Sequence, residues 1–106
     1  MDRDRIRVQT EDFGVEEESN KLKACSKRIG GIVTFLGTAR DFSKGQEIHK
    51  IDFDHYPGMA EKRLAEIREQ ALKEYDIIEV TIIHRVGEIA IGDNIVLIVV
   101  GAEHRK

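Results

Sequence analysis

The sequence predicts an α+β fold, a mostly antiparallel or mixed sheet covered by one long helix, and three observations predict it. Ile48 to Asp54 alternates apolar and polar residues, as a strand with one dry and one wet face does. The stretch from Pro57 to about Tyr75 repeats apolar residues at helical spacing. Two further runs, Ile29 to Leu36 and Ile95 to Val100, are apolar and β-branched, the composition of buried strands.

The 106 residues suit one domain, with 41% hydrophobic and 35% charged residues and a net charge of −3. That composition is globular, and the negative balance argues against nucleic acid, which requires a clustered basic surface. No run is long enough to span a bilayer, and Met-Asp-Arg-Asp-Arg lacks a signal peptide's apolar core. A cytoplasmic protein without membrane association is expected. Cys25 is the single cysteine, which excludes an intrachain disulfide.

Taken in order, Ile6 to Gln9 reads as a short edge strand and Val15 to Lys23 as a short helix after an acidic loop. Gly30-Gly31 marks a bulge or a close backbone approach at the start of the Ile29 to Leu36 strand. Asp41 to Glu47 is a polar loop. The Ile48 to Asp54 alternation sets His49 and His55 on the apolar face, as structural histidines. In the long helix Ala60, Leu64, Ile67, Ala71, Leu72 and Tyr75 form the buried stripe, and the charged residues form a solvated face. Ile77 to Arg85 is a strand, Val86 to Gly92 an interruption, and Gly92-Asp93-Asn94 a turn. Ile95 to Val100 reads as a central strand buried on both faces, which calls for a covering layer beyond one helix.

Nucleotide-binding glycine loops, paired metal-ligand motifs and a serine nucleophile elbow are absent from the sequence, so no cofactor and no metal is expected. The remaining chemistry is cationic. Arg40 follows one apolar strand, and His104, Arg105 and Lys106 follow another. Parallel neighbouring strands would gather all four around one anion-binding cleft, with arginine as a bidentate fork and histidine able to move a proton.

The chain resembles the large, catalytic subunit of molybdopterin synthase. The matching segments are Gly30 to Arg40, His55 to Lys62, Ile83 to Ile89, Gly92-Asp93 and Ala102 to Arg105. The resemblance implies an α/β hammerhead fold and a homodimer within a heterotetramer. It implies a small ubiquitin-like sulfur-carrier partner whose Gly-Gly tail ends in a thiocarboxylate. The substrate implied is cyclic pyranopterin monophosphate, converted by sulfur transfer to molybdopterin in molybdenum cofactor biosynthesis. By the same resemblance Thr38, Ala39 and Arg40 form one substrate-binding segment, and His104 and Arg105 another. Arg40 and His104 are then the catalytic candidates, His104 as proton carrier. The family continues past this pair with a helix carrying two substrate-binding lysines, a stretch this sequence does not include. A carrier-binding or dimerising module without catalysis is the alternative reading.

Overall fold

The structure, a computed structural model, describes residues 5–40, the backbone of 48–51, and residues 58–103. Among the described residues six strands and two helices follow in the order β1 (Ile6–Gln9), α1 (Val15–Lys23), β2 (Gly31–Thr38), β3 (Ile48–Ile51), α2 (Met59–Glu74), β4 (Glu79–Arg85), β5 (Gly87–Ala90) and β6 (Asn94–Ala102). The main sheet has the order β1-β4-β6-β2, and β3 pairs with β5 in a second, two-stranded sheet. β1 runs parallel to β4, whereas β4–β6 and β6–β2 are antiparallel, so the sheet is mixed as expected.

The core lies between α1 and the centre of the sheet. Leu22 of α1 packs with Ile83, Leu97 and Val99, each fully buried, and Phe13, Val15, Ile29 and Ile32 close the cluster. Glycine at 101 permits this contact, because a Cβ there would sit 2.9 Å from Ile29 Cδ1 and 3.0 Å from Leu22 Cδ2. Beside it, the Glu18 carboxylate is buried and accepts from Arg7 of β1, with Lys21 Nζ 3.7 Å away. This pairing lets a charged helix residue face the sheet.

Several expectations are corrected. β6 is central, but only Leu97, Val99 and Gly101 on the α1 side are buried, and the alternate residues are half-buried. The cause is its neighbour β2, which is exposed along Val33 to Leu36 and so leaves that side of β6 thinly covered. Val86 to Gly92 is not a simple interruption, since β5 lies within it and pairs with β3. Gly87, at φ +97°, turns the chain out of β4 and into this second sheet.

On α2 the predicted stripe holds in part: Ala60, Leu64, Ala71 and Leu72 are half-buried, while Ile67 and Tyr75 are 58% and 64% exposed. Arg68, from the face expected to be solvated, is instead buried. Its guanidinium bonds the Glu79 carboxylate and donates through Nε to the Val80 carbonyl at 3.1 Å, so charge pairing draws it inward. The loop 41–47, His55 and Pro57 lie outside the described residues, as does the side chain of His49.

Candidate functional site

Arg40 is exposed and follows a residue held firmly by backbone bonds. Ala39, only 7% exposed, donates its N–H to the Asp93 carbonyl at 2.9 Å, and its own carbonyl accepts from Gly92 N–H at 2.7 Å. The turn that supplies both partners needs glycine at 92, where φ is +93°. Asp93 stiffens the turn by accepting the Ala90 N–H on Oδ2 at 2.9 Å. The ladder between β2 and β6 shifts register between Gly37 and Thr38, which places Thr38 opposite Asn94. Gly37 is required there, since a Cβ would meet Val96 Cγ1 at 2.7 Å.

A second layer braces this end of the sheet. Arg85 donates to the Thr10 and Asn94 carbonyls, both at 3.1 Å, and its guanidinium stands 4.0 Å from Asp93. Asn94 in turn donates to Asp12 Oδ1 at 3.0 Å. That bond, then the Phe13 N–H and the nearby Arg85 charge, hold the Asp12 carboxyl below its ordinary value, against the opposing effect of burial. Asp93 was legible as part of a turn, whereas the bracing pairings of Thr10, Asp12 and Arg85 came from the three-dimensional structure alone.

The other predicted segment starts at the far end of the same ladder. Gly31 pairs with Ala102, and Gly30 N–H donates to the Ala102 carbonyl at 2.8 Å. Gly30 makes the close approach expected of it: a Cβ at that position would lie 2.3 Å from the Glu103 carbonyl oxygen. Arg28 reaches across to Glu103 Oε1 at 3.1 Å. His104 and Arg105 follow directly and lie outside the described residues.

The parallel arrangement that would have gathered Arg40 with His104 and Arg105 is therefore overturned, because β2 and β6 are antiparallel. Eight strand residues at ~3.3 Å each separate the two ends by roughly 25 Å. Arg40 and Glu103, the last described residue before His104, therefore follow opposite ends of the ladder. Among the described residues, grooves lined by Arg63, Ile67 and Tyr75 on α2 and by Glu16, Asn20 and Ala24 at α1 do not include Thr38–Arg40. Among the described residues no group of three or more histidine, cysteine or acidic side chains is placed to hold a metal, and no helix is long and apolar enough to cross a membrane.

The model of the MoaE protein family matches residues 8–106, nearly the whole chain. The chain belongs to the MoaE family. A molybdopterin synthase catalytic subunit from Ralstonia nicotianae is 42% identical over 100 residues, covering 94% of this chain and 57% of that protein. Among solved structures, the MoaE protein from Burkholderia ambifaria superposes with a TM-score of 0.81 at 39% identity, over 94% of this chain and 65% of the other. Molybdopterin synthase from Staphylococcus aureus gives a TM-score of 0.78 at 29% identity, covering 96% of this chain and 73% of that one. This MoaE chain thus spans under two thirds of the length of the Ralstonia and Burkholderia relatives.

Proposed function

We propose that this chain acts in molybdenum cofactor biosynthesis as the catalytic part of a molybdopterin synthase. It takes sulfur from the thiocarboxylated Gly-Gly tail of a small carrier subunit and delivers it to cyclic pyranopterin monophosphate. The observation that carries this reading is the MoaE match, whose range of residues 8–106 includes both Thr38–Arg40 and His104–Arg105.

The chemistry suits those residues. The substrate is anionic, and opening of its cyclic phosphate develops further negative charge as sulfur is added. A preorganised guanidinium stabilises such charge better than water does, because its orientation is set before the reaction. Arg40 is suited to this role because the Gly92-Asp93 turn fixes the backbone of the residue before it. Arg105 supplies the second cation, and His104 carries the proton that a displaced oxygen requires. The carrier tail is read as an extended strand-like peptide brought to the same cleft.

Because the two segments begin at opposite ends of an antiparallel ladder, a site that uses both draws them from two copies of the chain: Thr38–Arg40 from one and His104–Arg105 from the other. A homodimer is then part of the catalytic design. The test is binding of cyclic pyranopterin monophosphate by titration, together with dithiolene formation in the presence of thiocarboxylated carrier. Arg40→Ala is expected to weaken pterin binding by about 10- to 100-fold, the usual loss for a charge-assisted phosphate contact. Unchanged binding in Arg40→Ala would contradict the proposal.

A further inference from the structure

We infer that Arg85 is a positioning residue for Arg40: it fixes the Gly92-Asp93 turn that holds the chain at Ala39, and through that turn it aims the Arg40 side chain. This role rests on the reading of Arg40 as a substrate-binding cation. It adds a residue, outside both predicted segments, that sets where this cation stands.

Arg40 emerges where its own ladder controls it least. Gly37 pairs with Val96 and Thr38 with Asn94, so Ile95 is passed over and the register slips. An irregularity of this kind bends the ladder locally and re-aims the residues beside it. β2 ends at Thr38, and Ala39 is held by the turn instead, through its N–H to the Asp93 carbonyl and its carbonyl from the Gly92 N–H. The Arg40 backbone thus takes its place from the turn. What places the turn then decides where the guanidinium of Arg40 can reach.

Arg85 places it. In the sheet order β1-β4-β6-β2, Arg85 closes β4 and stands between the end of β1 and the start of β6. Its Nε donates to the Thr10 carbonyl, just past β1, and its Nη1 to the Asn94 carbonyl, at the first residue of β6. One planar group, 13% exposed, therefore ties three strand ends together, with Nη1 4.0 Å from Asp93 Oδ2. That same oxygen accepts the Ala90 N–H and closes the turn. Two carbonyls in fixed directions suit the rigid fork of arginine, whereas a lysine ammonium is a point charge on a flexible stem. From the Arg85 guanidinium to Arg40 the path is short: the bond to Asn94, the peptide link to Asp93, the bond to Ala39 and the next peptide link.

Arg85→Lys keeps the charge and removes the fork. Amide hydrogen exchange followed by NMR is expected to quicken about 10-fold at Ala39 and Gly92, a local opening, while Ile83 and Leu97 in the core keep the parent's rates. Titration with cyclic pyranopterin monophosphate is expected to show binding about 10-fold weaker, because a misplaced group loses much of its contact. Val99→Ala, a core substitution away from this turn, should lower stability yet keep the parent's exchange at Ala39 and its pterin binding. In the Arg40→Ala background Arg85→Lys should weaken binding no further, since a residue that acts through another has no separate effect once that one is gone. Equal losses of binding in the two backgrounds, or unchanged exchange at Ala39, overturn the inference. Exchange that rises equally at Ile83 and Leu97 marks a general loss of stability and overturns it as well. Pterin binding indifferent to Arg40→Ala removes the substrate reading, whereas faster exchange confined to Ala39 and Gly92 in Arg85→Lys still upholds the hold of Arg85 on the Arg40 backbone.

Discussion

Gly30 shows how much one missing Cβ can decide. Its backbone passes so close to Glu103 that alanine would place a carbon 2.3 Å from a carbonyl oxygen, and backbone is a poor thing to move. Gly30→Ala is expected to lower stability by about 1–3 kcal/mol, the cost of overpacking. It should also displace the route into His104 and Arg105. Thermal melting and pterin titration together check this: binding should fall more than it does in a core variant of equal stability loss. Asp12 offers a test by pH. Its folded pKa lies below the unfolded value of 3.8, so its contribution is present above that value and lost as the pH falls through the lower folded value. The Asp12→Asn protein should therefore show a shallower loss of stability on acidification, measured by denaturant titration across that range.

At the scale of elements, the Arg68–Glu79 pair ties α2 to the start of β4. Arg68→Ala leaves the Glu79 carboxylate with only the Val80 N–H and Arg5, 3.7 Å away, and a destabilisation of about 3 kcal/mol is expected. The double variant Arg68→Leu, Glu79→Leu should recover much of that loss, because it removes both charges together. Chemical denaturation of the single and double variants measures the difference. Sequence alone read β1 and α1 to the residue, since short alternation and an acidic first turn are local signals. It missed β5, whose four residues become a strand only by pairing with β3, a partner far away in the chain. It also left Arg68 in solvent, because spacing along a helix does not reveal a carboxylate waiting on a neighbouring strand.

For the whole molecule, the strand apolar on both faces, β6, raised the expectation of a missing layer, and the structure relocates that need. The opening lies at β2 and the half-buried side of β6, where Phe35 and Val33 stand exposed. The two proposed site segments read in the sequence as cations following apolar strands, and the resemblance to the catalytic subunit of molybdopterin synthase gave them their expected roles. Their relation was not legible, because strand direction is a property of the sheet and no residue encodes it alone. Under the proposed function, the antiparallel ladder makes the two walls of one cleft into halves contributed by two copies.

That central claim is tested most directly by mixing inactive partners. Arg40→Ala and His104→Ala chains, each deficient in binding cyclic pyranopterin monophosphate, are unfolded together, refolded and titrated. In a symmetric dimer with shared sites, random mixing restores about one site in four, since half the dimers are mixed and each has one intact cleft. Recovery to that level is the predicted result, and a mixture that binds no better than its two components would contradict the account.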